Sequence, residues 1–287
     1  MAQKTQPAVN ISFADKFIAF IDVLGFKNMV EAAESNDDKL LREVLASLKT
    51  SGSVDARNRY EQYGPTVCPE SLRIQRNLDF RATHVSDCVI VSAEISPAGV
   101  INLLHHCWVL VLSLMRYGVM CRGYVTRGQI FHLDAEFYGT GYQRAYAGES
   151  GVGVFKRSAD ERGTPFVEVD SAVSEYVEHC GDKCSQEIFR RFTRRDGDLV
   201  ALFPFQTLQH TFVIGDFWGR KFDRESERQS NRNVRKWIAD MKERVLALVD
   251  ATNPSAVSKA EHYVRALDAQ LAICDSTEAF LLSMIQR

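Results

Sequence analysis

An apolar segment near the start of the chain contains an acid and a glycine, and it constrains the fold more than any other feature. Residues 17–26 read FIAFIDVLGF, so Phe, Ile and Val residues typical of a buried strand surround Asp22, and Gly25 follows shortly after. Apolar residues then recur at helical spacing and predict a helix over 27–49. The pattern predicts a strand, a tight turn and a helix, with a carboxylate at their junction.

A second acid lies at the end of another pair of strands. Residues 80–85 and 88–93 have the pattern of two strands, and they are joined by Ser86 and Asp87, a dipeptide suited to a tight hairpin turn. A strand–helix–strand–strand order makes the first strand a neighbour of this hairpin in one antiparallel sheet. We therefore expect the carboxylates of Asp22 and Asp87 to lie close together.

The rest of the pattern predicts an α+β fold. The further predicted elements are, in chain order, a helix from Pro97 to about Tyr117, a bent strand or hairpin over 119–132 around Gly128, a glycine-led helix after Glu136, a strand over 164–170, a helix over 171–179 and two amphipathic helices over 224–249 and 255–272. A boundary near residue 195 divides the chain into a domain over 1–195 and an extension over 196–287, which we expect to be a helical hairpin.

Composition and charge favour a cytoplasmic protein that binds no nucleic acid and does not insert into membranes. The formal charge of -2 provides no overall electrostatic reason to expect a nucleic-acid partner. Seven cysteines are scattered without a disulfide framework, which fits a reducing cytosol. The longest apolar run, residues 107–115, is far shorter than the roughly 20 residues of a membrane-spanning helix. The N-terminus lacks the pattern of a secretory signal.

The two acids and the glycine turn indicate metal-assisted phosphate chemistry. Paired carboxylates in a partly apolar setting repel each other unless they are protonated or bridged by cations. Oxygen ligands favour Mg²⁺ or Mn²⁺, which keep open positions for phosphate groups and support in-line displacement at phosphorus. Gly25 permits an anion to approach the helix N-terminus, where backbone N–H groups and the helix dipole favour negative charge. The alternative is that Asp22 caps the helix and Gly25 only makes the turn.

Four segments in order resemble motifs of the class III nucleotidyl cyclases. FIAFIDVLGF is similar to the first metal-binding strand and turn of that family, HVSDCVIVS to its second metal-binding hairpin, CRGYVTRGQIF to its arginine-containing strand and YGTGYQRAYAGE to its glycine-led helix. Together they cover about residues 15–150. Within the family, the chain most resembles the pyrimidine cyclases of the bacterial Pycsar anti-phage systems.

The resemblance implies a structure and a mode of action. It implies a ferredoxin-like or palm-like βαββαβ core with an antiparallel sheet, to which the helical C-terminal extension is added. It also implies a homodimer with active sites at the interface and two Mn²⁺ or Mg²⁺ ions per active site. The cyclic nucleotide product would act on a separate effector.

The resemblance also assigns roles to individual residues. Asp22 and Asp87 match the two catalytic, metal-binding acids, and Val23 matches a position whose backbone carbonyl contacts a metal. The resemblance places nine residues at the nucleotide: Phe20, Leu24, Gly25, Phe26, Thr83, Arg122, Glu136, Gln143 and Arg144. The three from Leu24 to Phe26 match the turn that holds the triphosphate. For Arg122 the alternative is a structural ion pair.

Some positions depart from the family pattern. Thr83 stands where purine cyclases carry a base-reading lysine, and its short side chain has neither the reach nor the charge of lysine. The asparagine and arginine that stabilise the family's transition state are replaced by Gln143 and Ala147, with Arg144 and Tyr146 nearby as substitutes. A shift of one helical turn in the alignment would change these assignments.

Three tyrosines recur at helical spacing in the same region. Tyr138, Tyr142 and Tyr146 are each four residues apart and are expected to form one helical face, with packing as their default role and base stacking as the alternative.

The sequence and the resemblance therefore predict a cyclase that converts a pyrimidine nucleoside triphosphate into its 3′,5′-cyclic monophosphate and pyrophosphate. The expected substrate is UTP. Three alternatives stay open at this point. They are a cytidylate or purine cyclase of the same fold, a different metal-dependent palm-type nucleotidyl transferase, and a non-catalytic nucleotide-binding sensor.

Overall fold

A computed structural model describes residues 11–67, 75–179, 183–211 and 222–284 of the chain. The prediction that the N-terminus carries no secretory signal concerns residues 1–10, which lie outside the described residues. The strands are β1 (Ala14–Val23), β2 (Arg81–Val85), β3 (Cys88–Glu94), β4 (Cys121–Leu133), β5 (Glu136–Tyr138), β6 (Val167–Val169), β7 (Thr193–Asp196) and β8 (Leu199–Leu202).

The helices lie between these strands, singly or in groups, and then dominate the C-terminal part. They are α1 (Phe26–Glu34), α2 (Lys39–Ser51), α3 (Val54–Tyr63), α4 (Pro97–Met115), α5 (Thr140–Ser150), α6 (Ser171–His179), α7 (Lys183–Phe192), α8 (Arg224–Leu248) and α9 (Pro254–Ser283). A short 3₁₀ turn at Pro204–Thr207 follows β8.

All described strands belong to one sheet. Its order is β2-β3-β1-β4-β6-β8-β7, and β5 pairs with β4 beside this path. Every pairing is antiparallel except that of β4 with β6. The predicted α+β fold with an antiparallel sheet and a helical C-terminal extension is confirmed, and so is the predicted hairpin of β2 and β3.

Strand β1 is apolar on both sides because helices cover both faces of the sheet. Phe17, Ala19 and Ile21 face the core that α4 closes, while Ile18 and Phe20 belong to a smaller cluster under α5. A strand that is buried on both faces reads as a continuous apolar run, which explains the first sequence feature. By alternation along the strand, Asp22 lies on the α5 side of the sheet.

Helix α4 is the central helix of the core. Pro97 occupies its first turn, and the backbone N–H of Gly99 donates to Ser96 Oγ at 2.9 Å, so Ser96 is the cap. Among the described helices it alone is long and apolar enough to cross a membrane, but 67% of the apolar window is buried inside the protein. The prediction of a buried core helix that begins at Pro97 is confirmed.

One predicted element differs from the structure, and for another the structure decides between two predicted alternatives. The helix predicted over 27–49 is wrong, because α1 ends at Glu34 and α2 begins only at Lys39, with Asn36 at φ 73° between them. The apolar period continues across this break and hides it. Around Gly128, β4 is one strand and not a hairpin: a side chain there would come within 2.8 Å of the Gly141 Cα, so this glycine permits α5 to cross the strand closely.

The C-terminal helices form the predicted antiparallel pair. The Asn253 side chain accepts from the backbone N–H groups of Ser255 and Ala256 and caps α9. Asn231 Nδ2 on α8 donates to the Cys274 carbonyl of α9 at 2.9 Å. The second helix extends beyond its predicted end at residue 272.

The sheet continues past the predicted domain boundary. Residue 195 lies inside β7, and β8 pairs with both β7 and β6. The division into a catalytic domain and a C-terminal extension remains a prediction.

Candidate active site

The two acids lie at the same end of two neighbouring strands. Asp22 is opposite Cys88 in the antiparallel pairing of β1 with β3, and Asp87 directly precedes Cys88. The backbone N–H of Val23 donates to the Asp87 carbonyl at 3.0 Å, which fixes the two chain segments side by side. The predicted proximity of the two acids is confirmed.

Partial burial and the neighbouring negative charges shift Asp22 toward its protonated form. Burial, together with the charges of Asp87 and Glu149, raises the pKa of Asp22 to about 7, although Arg122 acts in the opposite direction. A carboxyl with this pKa carries a proton about half of the time at neutral pH. A divalent cation near the two carboxylates would reverse this preference because it stabilises both negative charges.

The turn after β1 leaves the start of α1 without a side-chain cap. Gly25 is the N-cap residue, has φ 78° and receives no side-chain hydrogen bond. The alternative in which Asp22 caps this helix is therefore wrong. A Cβ atom at Gly25 would meet nothing within 4 Å, so the left-handed backbone, and not lack of space, requires glycine here. The backbone N–H of Leu24 donates to the Met120 carbonyl at 2.9 Å and holds the turn against the segment that enters β4.

Arg122 lies beside Asp22 but is already paired with a glutamate. Its Cα is opposite Asp22 in the pairing of β4 with β1, and its guanidinium forms an ion pair with Glu149 on α5. The exposed fractions of the two side chains are only 17% and 9%. The structural ion pair that was the alternative for Arg122 is thus present, and its position also places a positive charge next to the two acids.

Glu149 is a site residue that the sequence reasoning did not identify. It follows Gly141 and Ala145 at intervals of four residues, and all three are buried on the side of α5 that packs against the sheet. A glutamate on an otherwise apolar and small-residue face was the available signal. Such a residue needs a buried cation as a partner.

The donor set fits a divalent cation that also binds phosphate. Two carboxylates and a neighbouring backbone carbonyl are the hard oxygen ligands that Mg²⁺ and Mn²⁺ take, with waters and substrate phosphates completing the coordination. The Val23 side chain is only 2% exposed and packs in the core, so only the backbone of this residue can contribute. In the described ranges no group of three or more His, Cys, Asp or Glu side chains could hold a metal by itself.

Thr83 belongs to a closed hydrogen-bond network. Its hydroxyl donates its only proton to the Asp134 carbonyl, so the hydroxyl oxygen must accept from His132 Nε2, which lies 2.9 Å away. The neutral His132 ring then carries its proton on Nε2, and its Nδ1 accepts from Ser92 Oγ, also at 2.9 Å. Burial lowers the pKa of His132 to about 3, so the ring is neutral. Thr83 is only 5% exposed and has no unused hydroxyl proton for a nucleobase.

The three predicted contacts near α5 lie on exposed surface. Glu136 begins β5, and Gln143 and Arg144 lie on the exposed side of α5. Arg144 donates to the Arg127 carbonyl at 3.0 Å. Within the described part of the chain, none of the three is paired with either acid, so their assignment to a nucleotide remains a prediction.

Aromatic side chains cover Phe20 next to the acids. Tyr142 and Tyr146 meet Phe20 edge to face, with centroid distances of 6.4 Å and 5.3 Å. Tyr138 is in β5 and not in the helix, so the predicted helical face of three tyrosines is wrong. Phe20 itself is only 4% exposed and packs in the apolar cluster under α5.

Comparisons with known proteins identify distant structures. The chain matches no protein-family model and no curated protein. It is similar to the structure of a bacterial light-regulated adenylyl cyclase, with 13% identity, a TM-score of 0.35 and coverage of 59% of this chain and 46% of that one. It is also similar to a class III adenylyl cyclase-like ATP-binding protein from Pseudomonas aeruginosa, with 12% identity, a TM-score of 0.35 and coverage of 63% and 41%. The similar part thus spans less than half of either of those chains.

Proposed function

We propose that the protein is a nucleotidyl cyclase that converts UTP into 3′,5′-cyclic UMP and pyrophosphate. The observation that carries the proposal is the pair Asp22 and Asp87 at one end of neighbouring strands, next to a glycine turn whose helix has no side-chain cap. The first group binds cations and the second accepts an anion. Their juxtaposition suits a substrate that carries both a polyphosphate and its metal ions.

Each element of the site has a role in the proposed reaction. Asp22 and Asp87, with the Val23 carbonyl, would hold two magnesium or manganese ions, and the turn from Leu24 to Phe26 would hold the phosphate chain. When bound, such ions would lower the pKa of the ribose 3′-hydroxyl and neutralise charge on the phosphates. The 3′-hydroxyl loses its proton to solvent water, its oxygen forms a bond to the α-phosphorus, the bond between the α-phosphorus and the oxygen that bridges to the β-phosphate breaks, and pyrophosphate leaves. The residues of the chain therefore act by positioning and by charge.

The proposed pyrimidine specificity is supported by the position that reads purines in the related family. Thr83 has neither the length nor the charge of a lysine, and its proton is used within the network of His132 and Asp134. A purine-reading contact of the usual kind is thus missing at this position.

The proposal extends to assembly and location. By the same resemblance, we propose a cytoplasmic homodimer with active sites at the interface, whose cyclic product activates a separate effector in anti-phage defence. Exposed tyrosines on β5 and α5 support an interface there, since 52% of Tyr138 and 59% of Tyr146 is exposed. Tyrosine is enriched in protein–protein interfaces.

The decisive experiment is a product analysis with four substrates. Purified protein is incubated with ATP, GTP, CTP or UTP and Mn²⁺, with and without extract of phage-infected bacteria, and the products are identified by mass spectrometry. We expect cyclic UMP. Cyclic CMP, cyclic AMP or cyclic GMP would change the substrate assignment, and a linear or dinucleotide product would indicate a nucleotidyl transferase. Nucleotide binding without turnover under all conditions would refute the enzyme and indicate a sensor.

Matched variants test the two acids. Asp22→Asn and Asp87→Asn should each lower turnover at least about 100-fold, because each removes a negatively charged ligand of the cations. Asp198→Asn, in the exposed turn between β7 and β8, is the control and should retain full activity. Retained activity in either of the first two variants would exclude the two-metal mechanism.

A further inference from the structure

A cavity of about 420 Å³ connects the turn after β1 with the C-terminal helices. One wall consists of Leu24, Gly25 and Asn28, and the opposite wall includes Asn253, Ser255 and Lys259 at the start of α9. The cavity therefore begins at the turn to which the phosphate chain is assigned. It ends on a part of the protein that the sequence analysis left without a role.

Lys259 is the only cation among the described residues that line this cavity. It is half-buried and forms no ion pair with any described residue, although Asp37 and Asp250 also line the cavity. Burial and the neighbouring Arg122 lower the pKa of Lys259, while Glu149 raises it. Glu149, the carboxylate whose charge acts on Lys259, is already paired with Arg122 and forms no ion pair with Lys259.

Contacts around Lys259 hold this part of α9 against the active site. Ser258 Oγ and His262 Nε2 each lie 2.8 Å from Oε1 of Glu161, in the segment between α5 and β6. The same segment contains Gly163, which abuts the Arg122 guanidinium. The segment thus links the turns of α9 on either side of Lys259 to the arginine beside the two acids.

We propose that Lys259 binds the terminal phosphates of the nucleotide, so that the C-terminal hairpin supplies part of the active site. An unpaired, half-buried ammonium at the edge of a cavity is placed for an anion, and the turn at the other wall is assigned to the same phosphate chain. Lys259 is a binding residue in this view, and no proton transfer is assigned to it. The inference rests on the proposed function in its choice of a nucleotide as the source of the phosphates.

The test uses inorganic tripolyphosphate, which has the phosphates without the ribose and base. Binding is measured by titration calorimetry with Mg²⁺ present, for the full chain and for Lys259→Met, Lys259→Arg and Lys242→Met. Lys242 is the control because it lies on the same hairpin and is paired with Asp268 at 2.5 Å. We expect Lys259→Met to weaken binding about tenfold, Lys259→Arg to stay within about threefold and Lys242→Met to bind as the unaltered protein does.

A purely structural role of Lys259 would produce a different result. We expect Lys259→Met to unfold at the same temperature or a higher one, because it removes an unpaired, half-buried charge. If the Met variant does not fold, Lys259→Gln replaces it. Unchanged tripolyphosphate affinity in the folded variant, or no binding to the unaltered protein, would overturn the inference. The proposed cyclase activity is judged separately by its products, so either result can fail while the other stands.

Discussion

Replacing Asp22 by asparagine should stabilise the protein at alkaline pH when no divalent cation is present. The pKa of Asp22 in the folded protein is about 7, against 3.8 for an unperturbed aspartate. Between these values the folded state binds more protons than the unfolded state, so the free energy of unfolding falls as the pH rises from about 4 to about 7. Asparagine has nearly the same shape and no charge. The variant therefore avoids a destabilisation that is fully present above pH 7.

The magnitude follows from the difference between the two pKa values. A pKa rise from 3.8 to about 7 corresponds to roughly 4 kcal/mol at pH 8, at about 1.4 kcal/mol per pH unit. Asp22 retains partial contact with solvent and the site can rearrange, both of which reduce the effect. We expect Asp22→Asn to be about 2 kcal/mol more stable than the unaltered protein at pH 8 and nearly equal to it at pH 4.

Urea unfolding followed by circular dichroism measures this difference. The two proteins are unfolded in EDTA at several pH values between 4 and 8, and the free energies of unfolding are obtained by linear extrapolation. Adding Mg²⁺ should raise the stability of the unaltered protein more than that of the variant, because a cation that binds only the folded state stabilises it. A loss of stability in Asp22→Asn at pH 8 in EDTA would refute the reasoning.

Glu161→Gln is the matched control because it also removes one negative charge, but it should change the free energy of unfolding in the opposite direction. Burial raises the pKa of Glu161, but hydrogen bonds from the Arg157 backbone, His262 and Ser258 outweigh it and hold the pKa at about 2. This carboxylate stabilises the fold above about pH 4.5, and the contribution is lost as the pH falls toward 2. At pH 8 Glu161→Gln should therefore lose about 1–3 kcal/mol of stability.

Two further substitutions test contacts around the site. Thr83→Val breaks the hydrogen bonds to His132 and Asp134 and should lower the free energy of unfolding, measured in urea, by about 1–3 kcal/mol. Thr83→Ser keeps the hydroxyl and should lose less than half as much stability. Equal losses in the two variants would exclude the hydroxyl as the cause. Gly163→Ala adds a methyl group that overlaps the Arg122 guanidinium at a φ of +64° and should lower both stability and the affinity for tripolyphosphate. Gly197→Ala is the control: at φ +58° with nothing within 4 Å of the new atom, it should lower stability by about 1 kcal/mol and leave the affinity for tripolyphosphate unchanged. If the two alanine variants bound tripolyphosphate equally well, the placement of Gly163 against Arg122 would be contradicted.

The parts of the site that could be predicted from sequence are local. Asp22 and Asp87 were identifiable because each interrupts or adjoins an apolar strand pattern, and strand order alone made them neighbours. The uncapped start of α1 follows from Gly25 in the same short segment. Each of these signals lies within a few residues of the feature that it predicts.

Other parts of the site depend on contacts between distant segments. The sequence shows Glu149 on the small-residue face of α5, but its partner Arg122 is found only in the structure, and Lys259 is recognisable only when α9 is seen next to the turn after β1. Nothing in the residues adjacent to Lys259 distinguishes it from other lysines of an amphipathic helix. Local sequence patterns set helix and strand type, whereas such contacts depend on tertiary packing.

The break between α1 and α2 escaped prediction for a related reason. Apolar side chains on both helices face the same core, so their period continues through residues 35–38. The left-handed Asn36 ends the helical hydrogen bonding there, and asparagine tolerates that conformation without being diagnostic of it. Periodicity therefore identified the buried face correctly and the helix boundary incorrectly.

The continuation of the sheet past residue 195 has a consequence for producing the protein. A fragment that stops at that residue loses β8, the partner on the far side of β6, and exposes the hydrogen-bonding edge of a strand whose Val167 and Val169 are almost fully buried. Open apolar edges of this kind pair with other chains and cause aggregation. An expression fragment intended to stay in solution should therefore include Leu202.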